Sequence, residues 1–114
     1  MTARWPYPVR LLALAAAALV IAPASEAAVA PRVHTVIIDK LKFGPVPQNI
    51  RSGDTIVWVN NDTVQHTATA RDGSFDVRLQ PGKRAKTVLS KAGNLAIYCI
   101  YHPMMRTTLR VAAS

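Results

Sequence analysis

The chain has 114 residues, with 14 Lys and Arg against six Asp and Glu, a formal net charge of +8 and a single cysteine. That length bounds one small domain, and a lone cysteine excludes an internal disulfide framework.

Residues 1–27 read as an address and not as part of the fold. Arg4 and Arg10 make a basic start, Leu11 to Ala22 is an unbroken apolar run, and small residues follow through Ala28, the form of a secretory signal peptide. A membrane anchor is the plainer alternative, but the run has only twelve residues where about 20 are needed to span a bilayer. Cleavage is expected after Ala27 or Ala28, since cutting after Ala30 would leave Pro31 first. The mature domain is then residues 28–114, exported to the periplasm and not stably inserted in the membrane. It keeps twelve Lys and Arg against five Asp. Outside the cytoplasm, with few aromatics suited to base stacking, that charge fits an acidic protein partner better than nucleic acid. A solvated basic surface without a partner is the bland counterpart. At this size burial is only just sufficient, so a bound metal would add stability.

From Pro31 onward the pattern has period two, broken by turns. Val33 to Ile38 is a β-branched strand; Lys40 to Pro47 is irregular, with Gly44, Pro45 and Pro47 stopping any ladder. Gln48 to Ile50 leads into a turn at Arg51-Ser-Gly-Asp54. Thr55 to Asn60 is apolar on both faces and reads as a central strand. Asn60 to Thr63 is a loop that delivers Val64 to Thr69. Phe75, Val77 and Leu79 alternate with polar residues, as do Ala85, Thr87 and Leu89 in part. Leu95 to Ile100 and Thr107 to Val111 make the last antiparallel pair. No helical period appears in the mature domain. About seven or eight short strands predict an all-β sandwich or barrel.

Chemistry concentrates in Cys99-Ile-Tyr-His102-Pro-Met-Met105, the loop between the last two strands. Thiolate, imidazole and thioether, joined by one more imidazole, are the donor set of a blue-copper centre. His66 lies 33 residues before Cys99 at the end of a loop and is the candidate fourth donor. His34, in a strand with no donor nearby in sequence, reads as structural or exposed. Taken singly, Cys99 is equally a small buried hydrophobe, and Met104 and Met105 are core or rim residues. A structural zinc site competes, although zinc has little use for a thioether. A thiol enzyme competes too, but it needs an orienting carboxylate and a cleft, and no acidic residue lies close to the Cys99 loop in sequence.

Two stretches carry a family resemblance: Tyr98-Cys99-x-x-His102-Pro103-x-Met105-Arg106, and Gly53-Asp54-Thr-Ile-Val-Trp58-x-Asn60-x5-His66. With them the chain resembles the cupredoxins, and the short spacing of the loop is similar to that of the amicyanin type. The resemblance spans about Phe43 to Val111 and implies a cupredoxin-like Greek-key β-sandwich. It implies one type 1 copper ion held by His66, Cys99 and His102, with Met105 as weak axial donor. His102 would carry the electron at the surface, with Pro103 and Met104 in an apolar docking patch. Expected partners are a donor dehydrogenase or oxidase and an acceptor such as a c-type cytochrome, met by a monomer with no catalysis of its own. Two departures stand out: Thr67 where the family has Asn, and Ile100-Tyr101 where it has a smaller, Pro-containing pair. A periplasmic copper carrier or chaperone is the rival function.

Overall fold

The computed structural model describes residues 2–4, 6, 8, 12–22 and 29–114. The expected cleavage position at Ala27 or Ala28 lies outside the described residues. Among the described residues no helix is long and apolar enough to cross a membrane.

The described chain is all β. Its strands are β1 (Val33–Asp39), β2 (Lys42–Phe43), β3 (Ile50–Arg51), β4 (Thr55–Asn60), β5 (His66–Ala70), β6 (Asp76–Leu79), β7 (Arg84–Val88), β8 (Gly93–Tyr98) and β9 (Arg106–Ala112). They form two sheets, ordered β2-β1-β4-β7 and β3-β9-β8-β5-β6. Two of the pairings are parallel, β1 with β4 and β3 with β9, so these sequence-distant strands meet by crossing between sheets. Two packed sheets of this kind make the all-β sandwich that the resemblance leads one to expect.

Strand number and ends differ slightly from the sequence reading. Nine strands replace seven or eight because β2 and β3, two residues each, are set by their partners and not by their own pattern. The β2 pairing depends on a tight turn with Lys40 at φ 52° and Leu41 at φ 60°, a left-handed conformation that neither residue type advertises. The strand expected to run to Ile100 stops at Tyr98, which leaves Cys99 free of the ladder and first in the loop.

Alternation decides what faces inward. Val36 and Ile38 of β1, Ile56 and Trp58 of β4, Ala68 and Ala70 of β5, Leu79, Ile97, Leu109 and Val111 form one core between the sheets. Trp58 is fully buried and carries its indole N–H to the Thr87 hydroxyl at 3.1 Å. Phe43 meets its ring edge-on at 6.0 Å. Truncating such a residue to alanine costs about 3–5 kcal/mol. Cys99 and Met105 belong to the same core, so the loop that links β8 to β9 is rooted in packed side chains at both ends.

Candidate metal centre

Cys99 to Met105 closes on itself. The Cys99 N–H donates to the Met105 carbonyl at 3.1 Å, and the Met105 N–H donates to the His102 carbonyl at 2.8 Å. The first bond holds the two ends of the loop together, and the second closes a turn from His102 to Met105. His66 opens β5, opposite Leu79 of β6, and is fully buried. Buried Asn60 sets the approach to it. Its amide donates to the carbonyls of Val64 at 2.9 Å and Leu79 at 3.0 Å, and its oxygen accepts from the Asp62 N–H.

The structure brings three of the predicted donors to one point. Cys99 Sγ lies 3.8 Å from His66 Nδ1 and 3.7 Å from His102 Nδ1, and the three ligand atoms all fall within 4.8 Å of one another. A metal bound at about 2.3 Å to sulfur and about 2.0 Å to nitrogen, with angles of about 110–120°, needs S···N separations of about 3.5–3.7 Å. The side chains therefore fit one shared metal ion with little movement. The two imidazole rings stand 5.1 Å apart at 61°, so both present their Nδ1 edges without stacking. Met105, the fourth predicted donor, is buried in the core cluster that also holds Cys99. Met104 is 87% exposed and sits with Leu41, Tyr101 and Pro103 in an apolar hollow around His102.

His66 is oriented from behind. Its Nε2 donates to Asp62 Oδ2 at 2.6 Å, which places the ring proton on Nε2 and leaves the Nδ1 lone pair facing the sulfur. The same carboxylate accepts from the amides of Lys40 at 2.6 Å and Leu41 at 2.9 Å. Burial works against the charged form, yet the Leu41 amide, the His66 ring and the Lys40 amide together hold its carboxyl below the ordinary range. Among the described residues no buried side-chain nitrogen or oxygen lacks a partner.

Thr67 replaces asparagine without leaving the ligand loops untied. Its N–H points to Cys99 Sγ at 3.4 Å, and its hydroxyl accepts from the Ile100 N–H at 2.9 Å. His34 lies away from the metal donors, bonded through Nε2 to Asp54 Oδ2 at 2.8 Å, which agrees with a structural role.

Sequence reasoning overlooked carboxylates near the site. It found none beside the Cys99 loop, but Asp62 touches His66, and Asp76 reaches the loop through two hydroxyls. Asp62, four residues before His66, was within reach of a closer reading. Asp76 was not, because only the pairing of β5 with β6 brings it there.

The family model for a cupredoxin-like domain matches residues 11–111. The chain is 27% identical over 90 residues to amicyanin from Paracoccus versutus, an alignment covering 74% of this chain and 68% of that protein. It is 37% identical over 65 residues to the methylamine utilization protein MauL of Methylorubrum extorquens, covering 54% of this chain and spanning only 57% of the relative. Among solved structures, amicyanin from Paracoccus versutus superposes with a TM-score of 0.58 at 24% identity, covering 72% of this chain and 81% of that one. A purple cupredoxin from Nitrosopumilus maritimus gives a TM-score of 0.58 at 25% identity, covering 71% of this chain and 99% of that one.

Proposed function

The chain belongs to the cupredoxin-like family, and from that premise we propose that it is an exported type 1 copper protein carrying single electrons between redox partners. The observation that carries this reading is the convergence of Cys99 Sγ with the Nδ1 atoms of His66 and His102. His66, Cys99 and His102 would hold the ion, and Met105, buried at the end of the same loop, would add a weak thioether donor. Bound there, copper supplies a one-electron couple in which soft sulfur favours Cu(I) and imidazole suits Cu(II).

The chain's own contribution is rigidity. Asp62 fixes the His66 ring, the loop's internal bonds hold the His102 backbone, and the core fixes Cys99, so the donors would move little between two oxidation states of a bound ion. With all four donors bound, the ion would have no open position for a substrate, unlike a catalytic metal centre. His102, half-buried among Leu41, Pro103 and Met104, is the route by which the electron enters and leaves. Lys42 lines that same hollow, Lys40 and Arg106 adjoin its residues in sequence, and all three are exposed. A redox protein with an apolar contact edged by acidic groups is the matching partner, a donor dehydrogenase or oxidase on one side and an acceptor such as a c-type cytochrome on the other. Residues 1–27 are the cleaved signal peptide, and the mature domain works in the periplasm as a monomer.

The test is the visible spectrum of residues 28–114 with one equivalent of Cu(II), beside a Cys99→Ser control. An intense blue band that ascorbate bleaches and the control lacks is expected. A faint, ordinary Cu(II) spectrum would refute the type 1 site and leave the copper-carrier reading in front.

A further inference from the structure

Behind the ligand loop, on β5 and β6, four polar side chains stand in two cross-strand pairs, Thr67 opposite Arg78 and Thr69 opposite Asp76. Thr69 Oγ1 donates to Asp76 Oδ1 at 2.9 Å, Thr67 Oγ1 and Thr69 Oγ1 are 2.9 Å apart, and the Ile100 N–H reaches Thr67 Oγ1 at 2.9 Å. The other carboxylate oxygen accepts from Arg78 at 3.0 Å, and Arg78 donates on to the Tyr101 hydroxyl at 3.0 Å. Two routes from one carboxylate thus end on adjacent residues of the loop that carries Cys99 and His102.

The direction of the first route is fixed by proton counting. An ionised carboxylate only accepts, so the single hydroxyl proton of Thr69 goes to Asp76. Thr69 oxygen must then accept the proton of Thr67, and Thr67 is left as a pure acceptor for the Ile100 amide. The Thr69 hydroxyl, and after it Arg78, hold Asp76 below the ordinary carboxylate range, which keeps the acceptor end charged at neutral pH. Aligned hydrogen bonds of this kind polarise one another. Thr67 and Thr69 are buried, so water cannot readily replace them.

We infer that Asp76 is a positioning residue for the metal loop: through Thr69 and Thr67 it binds the Ile100 amide, and through Arg78 it holds Tyr101. Drawing the Ile100 N–H onto Thr67 leaves the Thr67 N–H as the backbone donor at Cys99 sulfur. The consequence for sulfur rests on the copper reading above; the clamp itself does not.

Amide exchange in the metal-free domain tests the clamp, using Thr67→Val, Thr67→Ser and Asp76→Ala. Loss of the Ile100 bond in Thr67→Val is expected to speed Ile100 exchange about tenfold relative to the Trp58 amide of β4. Asp76→Ala, which keeps that bond but removes the acceptor that aligns the two hydroxyls, is expected to speed it by a smaller factor of about two to three. Thr67→Ser restores the hydroxyl and is expected to match the wild type. Unchanged Ile100 exchange, or an Ile100 rate that rises only in step with Trp58, overturns the inference. In the Cu(II) form the sulfur-to-copper band is expected to shift in Thr67→Val and Asp76→Ala but not in Thr67→Ser. A band at the wild-type position in all three overturns the tuning of sulfur. A wild type with no such band refutes the copper reading instead, and the exchange result stands apart from it.

Discussion

Replacing Asp62 by alanine removes an acceptor from three donors at once: the Lys40 amide, the Leu41 amide and His66 Nε2. Water can take over at the two amides, which are exposed, so each loses about 0.5–1 kcal/mol. His66 is fully buried against a carboxylate that is 13% exposed, and that bond is worth about 1.5–3 kcal/mol. The turn it releases holds Lys40 and Leu41 at positive φ, a strain that persists only while its surroundings enforce it. The sum is about 2.5–5 kcal/mol, or a fall in Tm of roughly 10–40 °C for a domain of this size. Copper affinity is expected to drop about 10–100-fold, because a ligand histidine has lost the partner that sets its tautomer. Asp62→Asn keeps one acceptor oxygen and is expected to lose about half as much stability. Thermal unfolding of the metal-free domain, followed by circular dichroism, and copper competition with a chelator read the two effects separately. A Tm within about 3 °C of the wild type for Asp62→Ala, the shift that a quarter of the smallest expected loss would give, would falsify the reasoning.

The remaining predictions concern acid, strain and the axial position. Asp54 accepts from the Arg32 amide, His34 and the Arg51 amide, and these hold its carboxyl far below the ordinary value. Its contribution is therefore complete above the unfolded value near 4 and fades as pH falls below it. Denaturant titrations from about pH 5 to pH 2 are expected to show a steeper loss of stability in the wild type than in Asp54→Asn; equal slopes refute this. Leu41→Gly relieves a left-handed backbone worth about 1–2 kcal/mol against a glycine entropy cost of about 0.5–1 kcal/mol, so Tm is expected to rise by a few degrees, and a fall counts against strain at the turn. Met105→Leu is expected to change stability by less than about 1.5 kcal/mol while moving the reduction potential. An unmoved potential in cyclic voltammetry removes Met105 from the donor set.

Much of the fold was legible because burial between two sheets imposes a period of two, and the apolar residues keep it. Thr55–Asn60 was read to the residue. The two short strands were not, since β2 depends on a turn of non-glycine residues at positive φ and β3 on a parallel partner 61 positions away, Ile50 facing Val111. No local pattern reports either circumstance.

By itself the sequence determined the longer strands and the loop that carries Cys99 and His102, because alternation and close spacing are local properties that a chain cannot hide. Only the tertiary structure decided which atoms meet. It turned both Nδ1 edges toward Cys99 sulfur, set Asp62 behind His66, and ran Asp76 through two threonines to Ile100. These are encounters between strands whose register is fixed by packing of the shared core, and a side chain's partner across a sheet is not written in its neighbours along the chain.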